Sequence, residues 1–447
     1  MKRRNMVATL LSLPLAAGLL VAGCGNNQGA GSASTAGAGA GGGKEKLVVF
    51  WADWEPAKQL QTLVKEYPDA EVEVKTVPWS NYESDVKKVW TSQNGDAFDM
   101  VVGDSQWLGS GASGGHYVDL TDWAKTGIPM ADIEEAAIKN YGEYPAGSGK
   151  LYAVPCESDC IGFAYRKDLF EDPKNKEAFK AKYGKDLAVP DTWEDFQKVA
   201  EFFTKPDGSL YGAALFYSKD YDGATMGFDQ VLWAFGGKLS DGNGKVEGVL
   251  NDAAGVKALE FHAGLKKFCP PGAERYYFAE CLGDFQKGKV AMAQSWFAFL
   301  PDLTNKEKNP HVDNTGYFMV PKGPAGRFIS LGGQGISVSS YSKKQDAAKK
   351  FLEWFSKEET QAKWAKLGGL TANKKVAATE DYKKAAPYNE LFSASMAFTK
   401  DFYNTPQYSE LMKVSQENLN DAIAGAKAPK AALDAIAKAH QETLAAK

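Results

Sequence analysis

The sequence has no excess of positive charge: Lys and Arg number 52 against 56 Asp and Glu, for a formal net charge of -4. That balance offers no basic footprint, which removes nucleic acid as an expected partner. A second long apolar run is missing as well. The one such stretch, Met6 to Leu20, is too short and too interrupted by Pro14 to span a bilayer, which takes about 20 apolar residues. No repeat of fixed period occurs, which excludes a solenoid, and no Pro/Gly-rich linker divides the chain into separate halves. Cysteines are few, five in 447 residues, and their spacings lack the C-x2-C form of zinc sites. No metal and no cofactor is expected.

What is present starts with an export signal: Lys2, Arg3 and Arg4, then the short apolar stretch, then small residues. Val21-Ala22-Gly23-Cys24 resembles the bacterial lipobox, in which the cysteine is lipidated and becomes the mature N-terminus. Residues 1–23 are then the signal peptide, and 24–43, nearly all Gly, Ala, Ser, Asn and Gln, a flexible tether reaching roughly 25 Å. The protein is thus expected to be exported and held by a lipid anchor, facing the periplasm or the outer face of the cell membrane. Beyond Cys24 stand Cys156, Cys160, Cys269 and Cys281, an even number in an oxidising compartment. Two disulfides are expected, proximity favouring Cys156 with Cys160 and Cys269 with Cys281, although four cysteines allow three connectivities.

The folded part alternates strand and helix. Lys46 to Trp51 reads as a strand, Glu55 to Tyr67 as a helix, Val72 to Val77 as a strand. A helix opened by a Ser80/Glu83 capping box follows, then a strand from Phe98 to Val102. Further elements are a helix at Thr192 to Phe203, strands at Gly316 to Val320 and Gly335 to Val338, and helices at Lys344 to Phe355, Leu411 to Ile423 and Ala431 to Leu444. This is an α/β pattern with a parallel sheet. In such sheets ligands bind outside the carboxyl ends of the strands, which here hold Asp53 and Trp54, then Trp79, then Asp104, Ser105, Gln106 and Trp107. The length suits two lobes, and the missing linker suits lobes that exchange segments across a hinge.

At several points the residues carry a family resemblance: FDMVVGDSQW, YRKDLFED at Tyr165 to Asp172, VPDTWEDF at Val189 to Phe196, WAFGGKL at Trp233 to Leu239, FQKGKVAMAQSWF at Phe285 to Phe297, LGGQGISV at Leu331 to Val338 and DAAKKFLEWF at Asp346 to Phe355. In order and spacing the chain resembles the extracellular solute-binding proteins of maltose and multiple-sugar ABC importers. The resemblance implies a two-lobed periplasmic-binding-protein fold, each lobe a mainly parallel sheet flanked by helices. It implies a monomer that traps a small polar ligand between lobes and hands it to permease subunits. The lobes would comprise 44–152 with 316–375, and 153–315 with 376–447.

Sugars offer hydroxyl rims and C–H faces, so a sugar site wants flat aromatic platforms edged by carboxylates and amides. Trp54, Glu55, Asp104, Ser105, Gln106 and Trp107 supply both at strand ends, and Trp79, just before a helix, is expected to be structural. By the resemblance, Trp296 stacks on the ligand and Trp233, in a matching segment, joins it. Glu157 is expected in a loop pinned by Cys156 and Cys160, a departure from the usual family pattern, and Gly333 and Gln334 are expected to bring backbone close to the ligand. The acidic, aromatic character also fits a cationic solute such as a quaternary ammonium or polyamine, and a secreted carbohydrate-active enzyme is a further alternative. Gly111 to Gly115 fits G-x-S-x-G beside His116, but in a glycine-rich loop rather than on a strand-to-helix turn. Asp220, Asp222 and Asp229 lack the EF-hand order and read as a solvated loop.

Overall fold

The computed structural model describes residues 44–446. The export signal, Cys24 and the tether lie outside the described residues.

Strand β1 (Glu45–Ala52) becomes buried on both faces towards its carboxyl end, as a parallel strand covered by helices must be. It pairs in parallel with β2 (Ala70–Val77) and β3 (Met100–Asp104). The crossovers are α1 (Glu55–Leu63), whose Leu60 and Leu63 face the core, and α2 (Trp79–Ser92), whose Tyr82, Val86 and Trp90 do. The expected capping box does not form. Pro78 holds extended backbone, the helix starts at Trp79, and Glu83 inside it pairs with Lys87 at 2.6 Å. At the end of β3 the Asp104 carboxylate caps α3 (Ser105–Ser113), accepting from the Gln106 N–H at 3.2 Å.

The remaining strands are β4 (Val154–Arg166), β5 (Tyr211–Ala214), β6 (Val290–Trp296), β7 (Thr315–Met319), β8 (Ile329–Val338) and the two-residue β9 (Thr399–Lys400). The order is β2-β1-β3-β8-β4-β6-β5, with β7 beside β4 and β9 beside β8. Strand β4 changes partner midway: Val154 to Cys160 pair with β8, and Ile161 to Arg166 with β6 or β7. It therefore runs from one half of the sheet into the other. The sheet is mixed rather than mainly parallel. Parallel pairs occur in β1–β2, β1–β3, β5–β6 and β8–β9, whereas β8 runs antiparallel to β3 and β4, and β4 antiparallel to β6 and β7 as well. Because β7 lies on the β6 side, the chain returns to the first half with β8, not at Gly316.

The helix Trp193–Phe203 is capped by Thr192, whose hydroxyl accepts from the Asp195 N–H at 3.0 Å. It buries the stripe Trp193, Phe196, Val199, Ala200 and Phe203. Helices Tyr408–Ala424 and Pro429–Ala445 close the chain. Among the described residues no helix is long and apolar enough to cross a membrane.

The expected disulfides are absent: Cys156, Cys160, Cys269 and Cys281 are free and buried. Cys156 and Cys160 share strand β4, and at ~3.3 Å per residue their Cα atoms stand about 13 Å apart, beyond bridging range. The Cys269 thiol instead faces the Leu265 carbonyl at 3.6 Å, and burial pushes its pKa up to about 12. Burial raises the other three also, leaving the four as small, inert core residues.

Candidate functional site

The register of three strands sets the floor of the site. Asp104 on β3 lies opposite Gln334 on β8, and Gln334 opposite Glu157 on β4, so the three side chains share one face. The Trp51 indole N–H donates to Gln334 Oε1 at 2.6 Å and fixes the amide. Two residues along β4, on the same face as Glu157, Asp159 accepts from the backbone N–H groups of Cys160 (2.8 Å) and Ala298 (3.2 Å). A cavity of about 560 Å³ opens over this floor, large enough for a small polar solute.

One wall comes from the first half of the sheet: Trp54, Trp79, Glu83, Ser105 and Gln106. The Trp54 and Trp79 rings meet edge to face, centroids 5.4 Å apart. The other wall holds Tyr221, Asp222, Tyr277, Phe278, Trp296 and Phe299, with Phe278 and Phe299 stacked face to face at 3.9 Å. A hydrogen-bond chain links the walls. Trp296 Nε1–H donates to the Tyr277 hydroxyl (2.7 Å), Tyr277 O–H to Asp222 Oδ1, and Gln106 Nε2–H to Asp222 Oδ2 (3.1 Å). Tyr221, in the left-handed region at φ 50°, donates its O–H to Asp104 Oδ2 at 3.0 Å.

Two glycines make the floor possible. A Cβ at Gly332 would stand 2.9 Å from the Trp296 ring, so the missing side chain lets that ring lie against β8. Gly333 has φ 109°, and a Cβ there would stand 2.8 Å from both the Glu157 carbonyl oxygen and the Tyr141 ring.

Burial dominates the electrostatics. It raises the Glu157 pKa well above its ordinary value, and the charges of Asp159 and Asp104 add to the effect. Among the described residues neither Glu157 carboxylate oxygen has a hydrogen-bond partner. Burial also raises Asp159, against the pull of its backbone N–H donors, and Asp104, against bonds from Gln106, Tyr221, Gln334 and Ser105. Asp222 is pushed up to about 7 by burial, with the Tyr277 bond opposing. The folded protein therefore keeps a proton on Asp222 that the unfolded chain releases near pH 4. Between about pH 4 and 7 the folded state binds more protons, so this group costs stability as pH rises through that window. Wild type is expected to lose melting temperature relative to Asp222→Asn between pH 4.5 and 7.5; a constant difference would count against it.

Of the residues singled out by sequence, Trp54, Asp104, Ser105, Gln106, Glu157, Trp296, Gly333 and Gln334 line the cavity. Three do not. Glu55 is exposed in the first turn of α1, 3.8 Å from Lys58. Trp107 is buried edge-on against Tyr82. Trp233 is 1% exposed inside the helix Gly223–Ala234, with the Lys400 ammonium over its ring. Trp233→Phe is accordingly expected to leave solute affinity within twofold of wild type, as isothermal titration would read.

Trp79, expected to be structural, lines the cavity. Asp222 and Asp229 are buried, not solvated: Asp222 stands at the start of helix Gly223–Ala234 and Asp229 lies within that helix, which is buried along its whole length. Among the described residues no group of three His, Cys, Asp or Glu is placed to hold a metal. Ser113 ends α3 instead of lying in a loop. Its hydroxyl donates to the Gly109 carbonyl at 2.7 Å, while the His116 ring stacks on Trp90 and meets the Tyr341 hydroxyl. No nucleophile and base face each other there. Tyr221, Tyr277, Phe278, Phe299, Asp159 and Tyr408 also line the cavity and were not foreseen.

A cavity between two halves of one sheet, floored by the strands that join them, defines a two-lobed binding protein of the periplasmic-binding-protein fold. Residues 51–362 match the family described as bacterial extracellular solute-binding protein, and the chain belongs to it. A mannitol-binding protein of Pseudomonas aeruginosa is 28% identical over 256 residues, 56% of this chain and 54% of that one. The match thus spans about half the relative's length. Maltose-bound MalE3 of T. maritima superposes with a TM-score of 0.75 at 24% identity, covering 89% of this chain and 99% of the other. The GacH receptor of Streptomyces glaucescens superposes with a TM-score of 0.73 at 22% identity, covering 90% and 99%.

Proposed function

We propose that the protein captures a sugar or sugar alcohol in this cavity and delivers it to the permease of an ABC importer, without catalysing a reaction. The observation that carries this reading is the composition of the lining: aromatic faces on both walls, with carboxylates and amides at their edges and floor. Its relatives include proteins described as binding maltose and mannitol. In this reading one lobe is built on β1 to β3 and the other on β5 to β7. The shared strands β4 and β8 are the hinge, since few residues need to change φ and ψ there for the lobes to close. Lipidation at Cys24 and the tether of residues 24–43 keep the receptor beside its membrane partner.

The test is a thermal-shift screen of the purified protein against monosaccharides, oligosaccharides and polyols. A solute at a hundred times its dissociation constant adds about 2.7 kcal/mol of stability, a readable shift. A shift by no sugar or polyol defeats the carbohydrate assignment, and steady release of product from an oligosaccharide defeats the receptor reading.

A further inference from the structure

The cavity is acidic without a counter-charge. Among the described residues Glu83, Asp104, Glu157, Asp159, Asp220 and Asp222 line it, and no Lys, Arg or His does. Glu157 is the extreme case: 0% exposed, central in the floor, both oxygens without a hydrogen-bond partner. Its electrostatic neighbours, Asp159 and Asp104, carry the same sign of charge.

A buried carboxylate needs hydrogen bonds and an opposite charge, or else a proton. The hydroxyls of a neutral sugar supply bonds but no charge, and an anionic solute would worsen the repulsion. An ammonium supplies up to three donors and one positive charge. Aromatic rings flank the floor at Trp54 and Trp296, and such faces attract a cation as readily as they stack on a sugar.

We propose that the solute is a polyhydroxylated molecule bearing a protonated amine, an amino sugar or amino sugar alcohol, with the ammonium facing Glu157. This rests on the carbohydrate-receptor reading above and narrows it. The hydroxyls of such a solute fall to Gln106, Ser105 and Asp104, whose amide, hydroxyl and carboxylate edge the cavity.

Matched pairs differing only in the amine test it. Calorimetric titration of the full mature chain at pH 7 would compare glucosamine with glucose and N-acetylglucosamine, the β-1,4 glucosamine dimer with cellobiose, and glucamine with sorbitol. The amine-bearing member of at least one pair is expected to bind tenfold or more tightly than its partners. Glu157→Gln, which removes the charge and keeps the shape, is expected to cut that preference at least fivefold while leaving the variant folded by circular dichroism. If neutral members bind as tightly as the amines, or more so, this inference fails and the carbohydrate reading stands. If spermidine binds and no sugar or polyol of either kind does, both fail. An undiminished preference in Glu157→Gln overturns the assignment of that residue.

Discussion

Alanine at Gly333 is expected to lower the unfolding free energy by about 3 kcal/mol, read by denaturant titration. At φ 109° a side chain is strained whatever surrounds it, and strain of that kind costs of order 1–3 kcal/mol. Here the added Cβ also meets two atoms that cannot easily retreat. The Glu157 carbonyl is main chain, held within the β4–β8 ladder, and the Tyr141 ring is buried with its hydroxyl 2.8 Å from Ser158 Oγ. Gly332 is the control. Its backbone is unstrained and its closest obstacle is the edge of the Trp296 side chain, so Gly332→Ala should cost less stability and disturb binding more, by pushing that ring into the cavity. Equal losses at the two positions would contradict the argument.

Trp296→Ala is expected to weaken solute binding by about 2 kcal/mol, close to thirtyfold, the scale of a buried aromatic anchor. The ring is 5% exposed and packs beside Phe216, so its removal should also cost about 3 kcal/mol of stability. Trp296→Phe separates the effects. It keeps a flat face but loses the N–H that donates to Tyr277, the first link of the chain reaching Gln106 through Asp222. An intermediate affinity is expected, measured by calorimetric titration with the solute that gives the largest thermal shift. Undiminished affinity in a folded Trp296→Ala variant would remove the ring from the site.

How far the sequence discloses such a molecule depends on how local the signal is. The run from β1 to β3 is legible because each helix shows its buried stripe within a dozen residues and each strand its β-branched run. Trp54, Asp104, Ser105 and Gln106 followed, since parallel strands gather their carboxyl ends. Strand β4 was harder: its centre, Cys156-Glu157-Ser158-Asp159-Cys160, is polar in composition although buried throughout. Polar residues at the middle of a buried strand break the hydrophobic pattern because they form the floor of a cavity. The nearness of the same two cysteines in sequence suggested a disulfide, which the extended strand that carries them forbids.

Tyr221, Asp222 and Tyr277 lie in turns ahead of helices, where no periodicity marks a buried residue. What brings Asp222 inward is the approach of Gln106, 116 positions away in the chain, and Tyr277, 55 away. Only the sheet order supplies that proximity. Trp233 shows the converse: its segment matches the family, yet the helix that carries it turns the ring into the core.

The crowding around β8 also bears on how this receptor can change its preferences. Tyr141 presses on Gly333, Trp296 presses on Gly332, and Ala153 stands 2.8 Å from where a Gly335 Cβ would sit. New side chains have almost no room along that strand, so divergence towards another solute is channelled to the opposing walls. Tyr221, Phe278 and Phe299 stand on a turn, a helix start and a 3-10 turn rather than on the strands that join the two halves, which makes them the positions at which a library would redirect selectivity.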